Sequence, residues 1–345
     1  MEIIKPKRLK KGDSIAVVSP SWGGPSIFPH IYELGIENLK KLELKIKEYS
    51  SARKNPDFLY NNPEFRAKDI NDAFADPEVK AIFTSIGGDD SIRILSFLDL
   101  NIIKRNPKII LGYSDTTTLN TYLNQLGLVT FNGPSIMAGF SQWDSLGKSF
   151  QEHVKTFLFG SYESYKYKPF EMYCNGYPDW SDKLNIGKTK EIINNSGWNW
   201  IQGDYNIKGR LFGGCVEVLE MMKNTKFWPS GSFWNNKILF LETSEDKPTP
   251  DQVKCMLRNY GIQGIFDKIS GLMIGRAKDY TDNEKIELDR NVIKIVKTEF
   301  KNNKLPIVTN MDFGHTDPQW ILPLGIKAEI NCKERSFKLL ESPFL

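Results

Sequence analysis

Histidine is scarce in this chain, with His30, His153 and His315 the whole supply. Three scattered imidazoles furnish a metal centre poorly, so no metal and no cofactor is expected. Cysteine is hardly commoner. Cys174, Cys215, Cys255 and Cys332 stand far apart and form no CxxC pair, which points to buried thiols in a reducing cytoplasm rather than disulfides or zinc ligands. No apolar run approaches a membrane span, and Ile15–Val18 is too short for a signal-peptide core and lacks a cleavage site. Dense Lys/Arg blocks are missing too: 46 basic against 42 acidic residues leave a net charge of +4, which suggests neither nucleic acid nor a membrane surface as partner. Neither Gly87-Gly88 nor Gly213-Gly214 is followed by Gly-Lys-Ser/Thr, which excludes a phosphate-cradling P-loop.

What is present is a 345-residue chain, 40% apolar, long enough for one large or two medium domains. Residues 1–160 alternate strand and helix signals at the rhythm of a parallel α/β sheet covered on both faces. Strands are expected at Ser14–Pro20, Lys80–Ile86, from Ile109 and at Leu128–Phe131. Helices are expected at Ile31–Leu42, Glu64–Phe74, over Ile92, Leu95 and Leu98, from Leu119 to Leu126, and at Phe150–Phe159. Residues 161–205 break the rhythm, spreading Tyr162, Tyr165, Tyr167, Tyr173, Trp180, Trp198 and Trp200 among polar residues. This inter-domain linker reads equally as a satellite core and as an aromatic wall of a ligand site. Residues 206–345 form a second unit. Gly213-Gly214-Cys215 opens a helix there, Lys237–Leu241 is a strand, Thr249–Tyr260 a helix, Ile269–Ile274 a strand, Asn283–Phe300 a charged helix and Pro306–Thr309 a strand. Ile326–Ile330 and Ser336–Leu340 close it as a β-hairpin.

The stretch Lys108–Thr118, KIILGYSDTTT, organises the chemistry: an apolar strand, a tight turn and a helix. A serine at such a turn is lifted off the sheet near the positive end of a helix, as in a nucleophile elbow. Thr116 replaces the usual second glycine, and on local context Ser114 reads as nucleophile or as a simple helix N-cap. A nucleophile needs a base, and the base an acid. His153 lies on an apolar helix face and His30 at a helix start, whereas His315 follows a strand in a Gly-Asp-Pro loop, where site residues of α/β sheets gather. Glu242 ends the apolar strand KILFL and is the candidate acid; Glu245 and Asp246 suit the helix that starts at Thr249. The Asp115 amide and the Gly87-Gly88 turn supply oxyanion donors.

GYSDTT after a strand, SIGGDD one strand earlier, GRLFGGC, FLETSEDKP and DFGHTDP, in this order, resemble the LD-carboxypeptidase family of serine peptidases, and within it the branch of the microcin C immunity proteins. The resemblance implies an α/β chain with an N-terminal Rossmann-like domain (1–160), the linker (161–205) and a C-terminal β-rich swivelling domain (206–345). It implies a Ser114–Glu242–His315 triad at their interface, oxyanion amides from Gly88 and Asp115, and a homodimer. For the branch it implies cleavage of the amide between an aminoacyl group and a nucleotide, with Trp180 stacked on the base and Lys247 near the substrate's charged end. Cys215 stands where some members carry Asn, which bears on the acyl residue. Two other functions share the motifs: an LD-carboxypeptidase that removes terminal D-alanine from muropeptide tetrapeptides, and a non-catalytic ligand-binding relative.

Overall fold

The computed structural model describes residues 2–345. The first half builds strands β1 (Ser14–Val18), β2 (Lys45–Glu48), β3 (Val79–Thr84), β4 (Ile109–Gly112) and β5 (Thr130–Asn132), and the linker builds β6 (Tyr165–Lys166), β7 (Met172–Cys174), β8 (Ile192–Asn194) and β9 (Asn199–Gln202). The second half adds β10 (Asn206–Cys215), β11 (Lys237–Glu242), β12 (Gly271–Gly275), β13 (Ile307–Met311), β14 (Leu322–Leu324), β15 (Lys327–Asn331) and β16 (Ser336–Leu339).

One sheet runs β14-β5-β4-β3-β1-β2 and is parallel except at β14; a second runs β6-β16-β15-β10-β11-β12-β13-β9, with a parallel centre from β10 to β13 and antiparallel flanks; β7 and β8 pair as a separate antiparallel ribbon. The α/β expectation therefore holds, with a parallel first sheet and a second, β-rich one. The centres of both sheets are buried, β4 along its whole length, because parallel strands covered on both faces are written as continuous Ile, Leu, Val and Phe. Helices cover the faces. Pro29–Lys41 and Pro63–Ala75 each start on a proline, whose missing N–H costs nothing in the first turn. Pro250–Ile262 starts on a capping box in which Thr249 and Gln252 satisfy each other's amides.

Several expectations are corrected. Lys-Ile-Lys-Glu at β2 forms an edge strand, where exposed charge discourages further pairing, so its low apolar content hid it. Ser91–Phe97 is a 3₁₀ segment rather than an α-helix, and the charged helix is α-helical from Asp282 to Ile293 and then widens to a π turn at Lys294–Glu299. Gly213-Gly214-Cys215 ends β10 instead of opening the helix, which begins at Val216. β14, near the chain's end, crosses over to pair with β5 in the first sheet, so the two halves share a strand exchange as well as an interface. No helix among the described residues is long and apolar enough to cross a membrane.

The carboxyl ends of β3, β4, β10, β11 and β13 carry the turns with Gly87-Gly88, Ser114, Cys215, Glu242 and His315. Ligands of open α/β sheets bind at such strand ends.

Candidate active site

Ser114 has φ +58°, a left-handed conformation unusual outside glycine. An N-cap residue is extended and accepts a bond from the first helical turn. Ser114 does neither, and the cap reading fails; its side chain stands at the wall of a cavity of about 670 Å³. The turn is fixed from below by Asn120, whose Nδ2 donates to the carbonyls of Gly112 (2.9 Å) and Phe131 (3.1 Å).

His315 donates Nδ1–H to Oε2 of Glu242 at 2.7 Å, with both side chains buried. Gly314 makes that approach possible: φ is +104°, and a Cβ there would lie 2.7 Å from Cβ of Glu242. The other imidazole nitrogen, Nε2, is buried without a hydrogen-bond partner, and Oε2 of Glu245 lies 3.6 Å away. The ring of Tyr113, the residue before Ser114, sits 4.9 Å from the imidazole centre. Burial pushes the Glu242 carboxyl up. Burial alone would depress His315, but the charge and hydrogen bond of Glu242 outweigh it and hold the imidazole above its ordinary value.

The Gly87-Gly88 turn and the Asp115 amide flank Ser114. Oγ of Ser114 would lie 3.0 Å from a Cβ on Gly87. The amides of Gly88 and Asp115 take no part in the turn, cap and loop hydrogen bonds of the described residues. Cys215 lines the same cavity; its thiol is pushed well up by burial and by the nearby carboxylates of Glu242 and Glu217. Lys247 does not line it: its Nζ pairs with Oε1 of Glu284 at 3.2 Å.

Trp180 is buried, stacked on Tyr177 at 3.9 Å and edge-on to Phe28 at 5.7 Å, and its carbonyl accepts from His30 Nε2 at 2.9 Å. It is not on the cavity wall; Tyr177 is. Tyr177 stands three positions before Trp180 in the same aromatic segment, and residue type alone does not tell which of the two rings faces the cavity. The linker is thus both core and wall, and it also braces the His315 loop, since Cys174 and Asp317 exchange backbone bonds of 2.7 and 3.0 Å. His153 is structural: buried and depressed to about 3, it accepts Ile321 N–H at Nε2 and meets Tyr165 Oη at Nδ1.

Asp89, Glu217, Glu245 and Asp246 line the cavity, and among the described residues no Lys or Arg does. Among the described residues no cluster of His, Cys, Asp and Glu is arranged to hold a metal ion. A larger cavity, about 740 Å³, lies away from this chemistry between Arg8, Lys41 and Lys155.

Residues 15–133 match the family model of the LD-carboxypeptidase N-terminal domain, and residues 208–330 that of the C-terminal domain. The microcin C7 self-immunity protein MccF of Escherichia coli is 26% identical over 336 residues, 96% of this chain and 94% of its own. YocD of Bacillus subtilis is 30% identical over 327 residues, 92% of this chain and 93% of its own. Two solved structures superpose closely. An MccF-like protein from Streptococcus pneumoniae in complex with AMP is 31% identical, with TM-score 0.83 over 95% of this chain and 98% of that one. MccF in complex with aspartyl sulfamoyl adenosine is 25% identical, with TM-score 0.86 over 99% and 100%.

Proposed function

The chain belongs to the LD-carboxypeptidase family of serine peptidases, and we propose that it hydrolyses an amide bond with a Ser114–Glu242–His315 triad. The observation that carries this reading is the buried Glu242–His315 pair at 2.7 Å, which leaves Nε2 of His315 free to take a proton. Ser114 Oγ adds to the substrate carbonyl carbon while its proton passes to Nε2. Glu242 keeps the proton on Nδ1 and balances the imidazolium that forms. The carbonyl oxygen, now an oxyanion, accepts from the amides of Gly88 and Asp115. The C–N bond then breaks as Nε2 returns the proton to the leaving nitrogen. Water, deprotonated by Nε2 of His315, then adds to the acyl carbon, and as the bond to Oγ breaks Nε2 returns the proton to Ser114.

The substrate we propose is an aminoacyl-nucleotide of the processed microcin C type, degraded for self-immunity or detoxification. Two observations support it: Trp22 and Tyr177 put rings on the cavity wall, the latter backed by Trp180, and the 31% identical neighbour was solved with AMP. Flat rings offer stacking surface to a base. The second reading is removal of D-alanine from a muropeptide tetrapeptide. Four carboxylates and no lining cation favour it, because such a wall attracts an amine-bearing acyl residue and repels phosphate. The reading extends to a homodimer working in the cytoplasm, which the four free cysteines suit.

A fluorophosphonate probe should label the wild type and not Ser114→Ala. Glutamyl sulfamoyl adenosine and an L,D-tetrapeptide, offered side by side, then separate the substrates by which one is cleaved. An intact wild type that neither reacts with the probe nor cleaves either compound leaves only a non-catalytic binding protein.

A further inference from the structure

We infer that Arg66, on the helix Pro63–Ala75 and outside the cavity wall, is a positioning residue for the oxyanion donors; the inference rests on Ser114 being the nucleophile. Its guanidinium is fully buried. Nη1 donates to Oδ1 of Asp90 at 2.6 Å and to the Pro20 carbonyl at 2.9 Å, and Nη2 donates to Oδ2 of Asp90 at 2.9 Å. The two partners belong to different segments: Pro20 follows β1, and Asp90 ends the turn that carries Gly87 and Gly88.

The same junction is tied at two further points and closely packed at a third. Ser21 Oγ donates to Asp90 Oδ1 at 3.3 Å, the Trp22 amide donates to the Gly87 carbonyl at 3.1 Å, and Ser21 Oγ would lie only 2.2 Å from a Cβ on Gly88. On its far side the turn is tied to the elbow. Ser91 donates its amide to Oδ2 of Asp115 and its hydroxyl to the Asp115 carbonyl, both at 2.8 Å. Gly88 has φ +151° and lies so close to Ser21 that a Cβ there would have no room.

A buried ion pair contributes little net stability, since desolvation offsets most of its attraction. What a bidentate pair fixes is geometry. With the Arg66–Asp90 fork in place, the Gly88 amide is held at one distance from the Asp115 amide. A misplacement near 1 Å costs reactions of this kind on the order of a hundredfold in rate.

The experiment is the reaction of full-length protein with a fluorophosphonate. The Ser114 oxygen–phosphorus bond forms, the phosphorus–fluorine bond breaks, fluoride leaves and His315 takes the serine proton. Arg66→Lys keeps the charge and loses the fork; Asp90→Asn keeps the shape and removes the charge that the fork grips. For each folded variant the maximal phosphonylation rate should fall about ten- to a hundredfold, with the half-saturating probe concentration within about twofold and the acid limb of the pH profile, which reports His315, unmoved. If Arg66→Lys does not fold, Asp90→Asn decides. Wild-type rates in the folded variants, or a loss confined to half-saturation, overturn the inference while Ser114 stays labelled. A wild type that is not labelled fails the site reading itself.

Discussion

Nδ1 of His315 and Oε2 of Glu242 lie 2.7 Å apart in a place from which water is excluded. The pair joins the loop after β13 to the end of β11, and Oε1 of Glu242 is left without a partner. A carboxylate in that state is unfavourable unless the imidazole beside it carries the compensating proton, so the site is poised to accept a second proton at Nε2. Glu242→Gln keeps the shape and removes the charge. The phosphonylation rate of Ser114 should drop roughly a thousandfold or more, while the circular dichroism spectrum stays that of the wild type. A loss below tenfold would leave Glu242 without the proposed role.

The pH profile has a definite sign. The proposed triad reacts only with Nε2 unprotonated, and His315 is held above its ordinary value. The groups acting on it are Glu242 and Glu245, which raise it, and Lys278, which lowers it; buried Asp317, itself pushed up to about 6, becomes an anion close by above that pH. The acid limb of the labelling rate should therefore lie above about 6.5, the usual histidine range, and activity should be lost as pH falls through it. Glu245→Gln removes the anion 3.6 Å from Nε2 and should move the limb downward. A limb that stays in place, or moves up, would contradict the arrangement.

The backbone of this arrangement is legible in the sequence because each contributor stands where an apolar run stops: Leu111 before Gly112, Leu241 before Glu242, Met311 before the loop to His315. Side-chain direction in loops leaves no such trace. Trp180 turns onto Tyr177 and Phe28, and Lys247 onto Glu284, because of partners far away in the chain. β14 was invisible for the same reason: Leu-Pro-Leu pairs with Thr-Phe-Asn almost two hundred residues earlier. Arg66 reads as one more charge on an amphipathic helix until Asp90 is seen beneath it.

Gly314 offers a test through the backbone. Its φ of +104° is one a side-chain-bearing residue adopts only under strain, and a Cβ would lie 2.9 Å from Oε2 of Glu242. Gly314→Ala should cost about 1–3 kcal/mol of stability, read from urea unfolding, and the folded protein should label far more slowly because the imidazole is pushed off its acid. Unchanged stability and labelling would mean that the loop has room to retreat, and that the Glu242 contact is not fixed by it.

The last prediction concerns the acyl residue. Oε1 of Glu217 accepts the amide (2.9 Å) and hydroxyl (2.7 Å) of Ser244, and so ties the helix Val216–Met222 to the loop that carries Glu245 and Asp246. It brings one of the four negative charges on the wall. Glu217→Gln keeps an acceptor for Ser244 and removes the charge. Between solvent-exposed groups, one unit charge is worth up to about 1 kcal/mol to a charged ligand group, or about fivefold in kcat/KM. Acidic acyl groups should gain by that factor and amine-bearing ones should lose by it, and the contrast should shrink as salt is raised, because the wall is open to screening ions. Equal changes for both acyl groups, insensitive to salt, would show that Glu217 acts through the Ser244 loop alone and that the acidic wall does not choose the substrate.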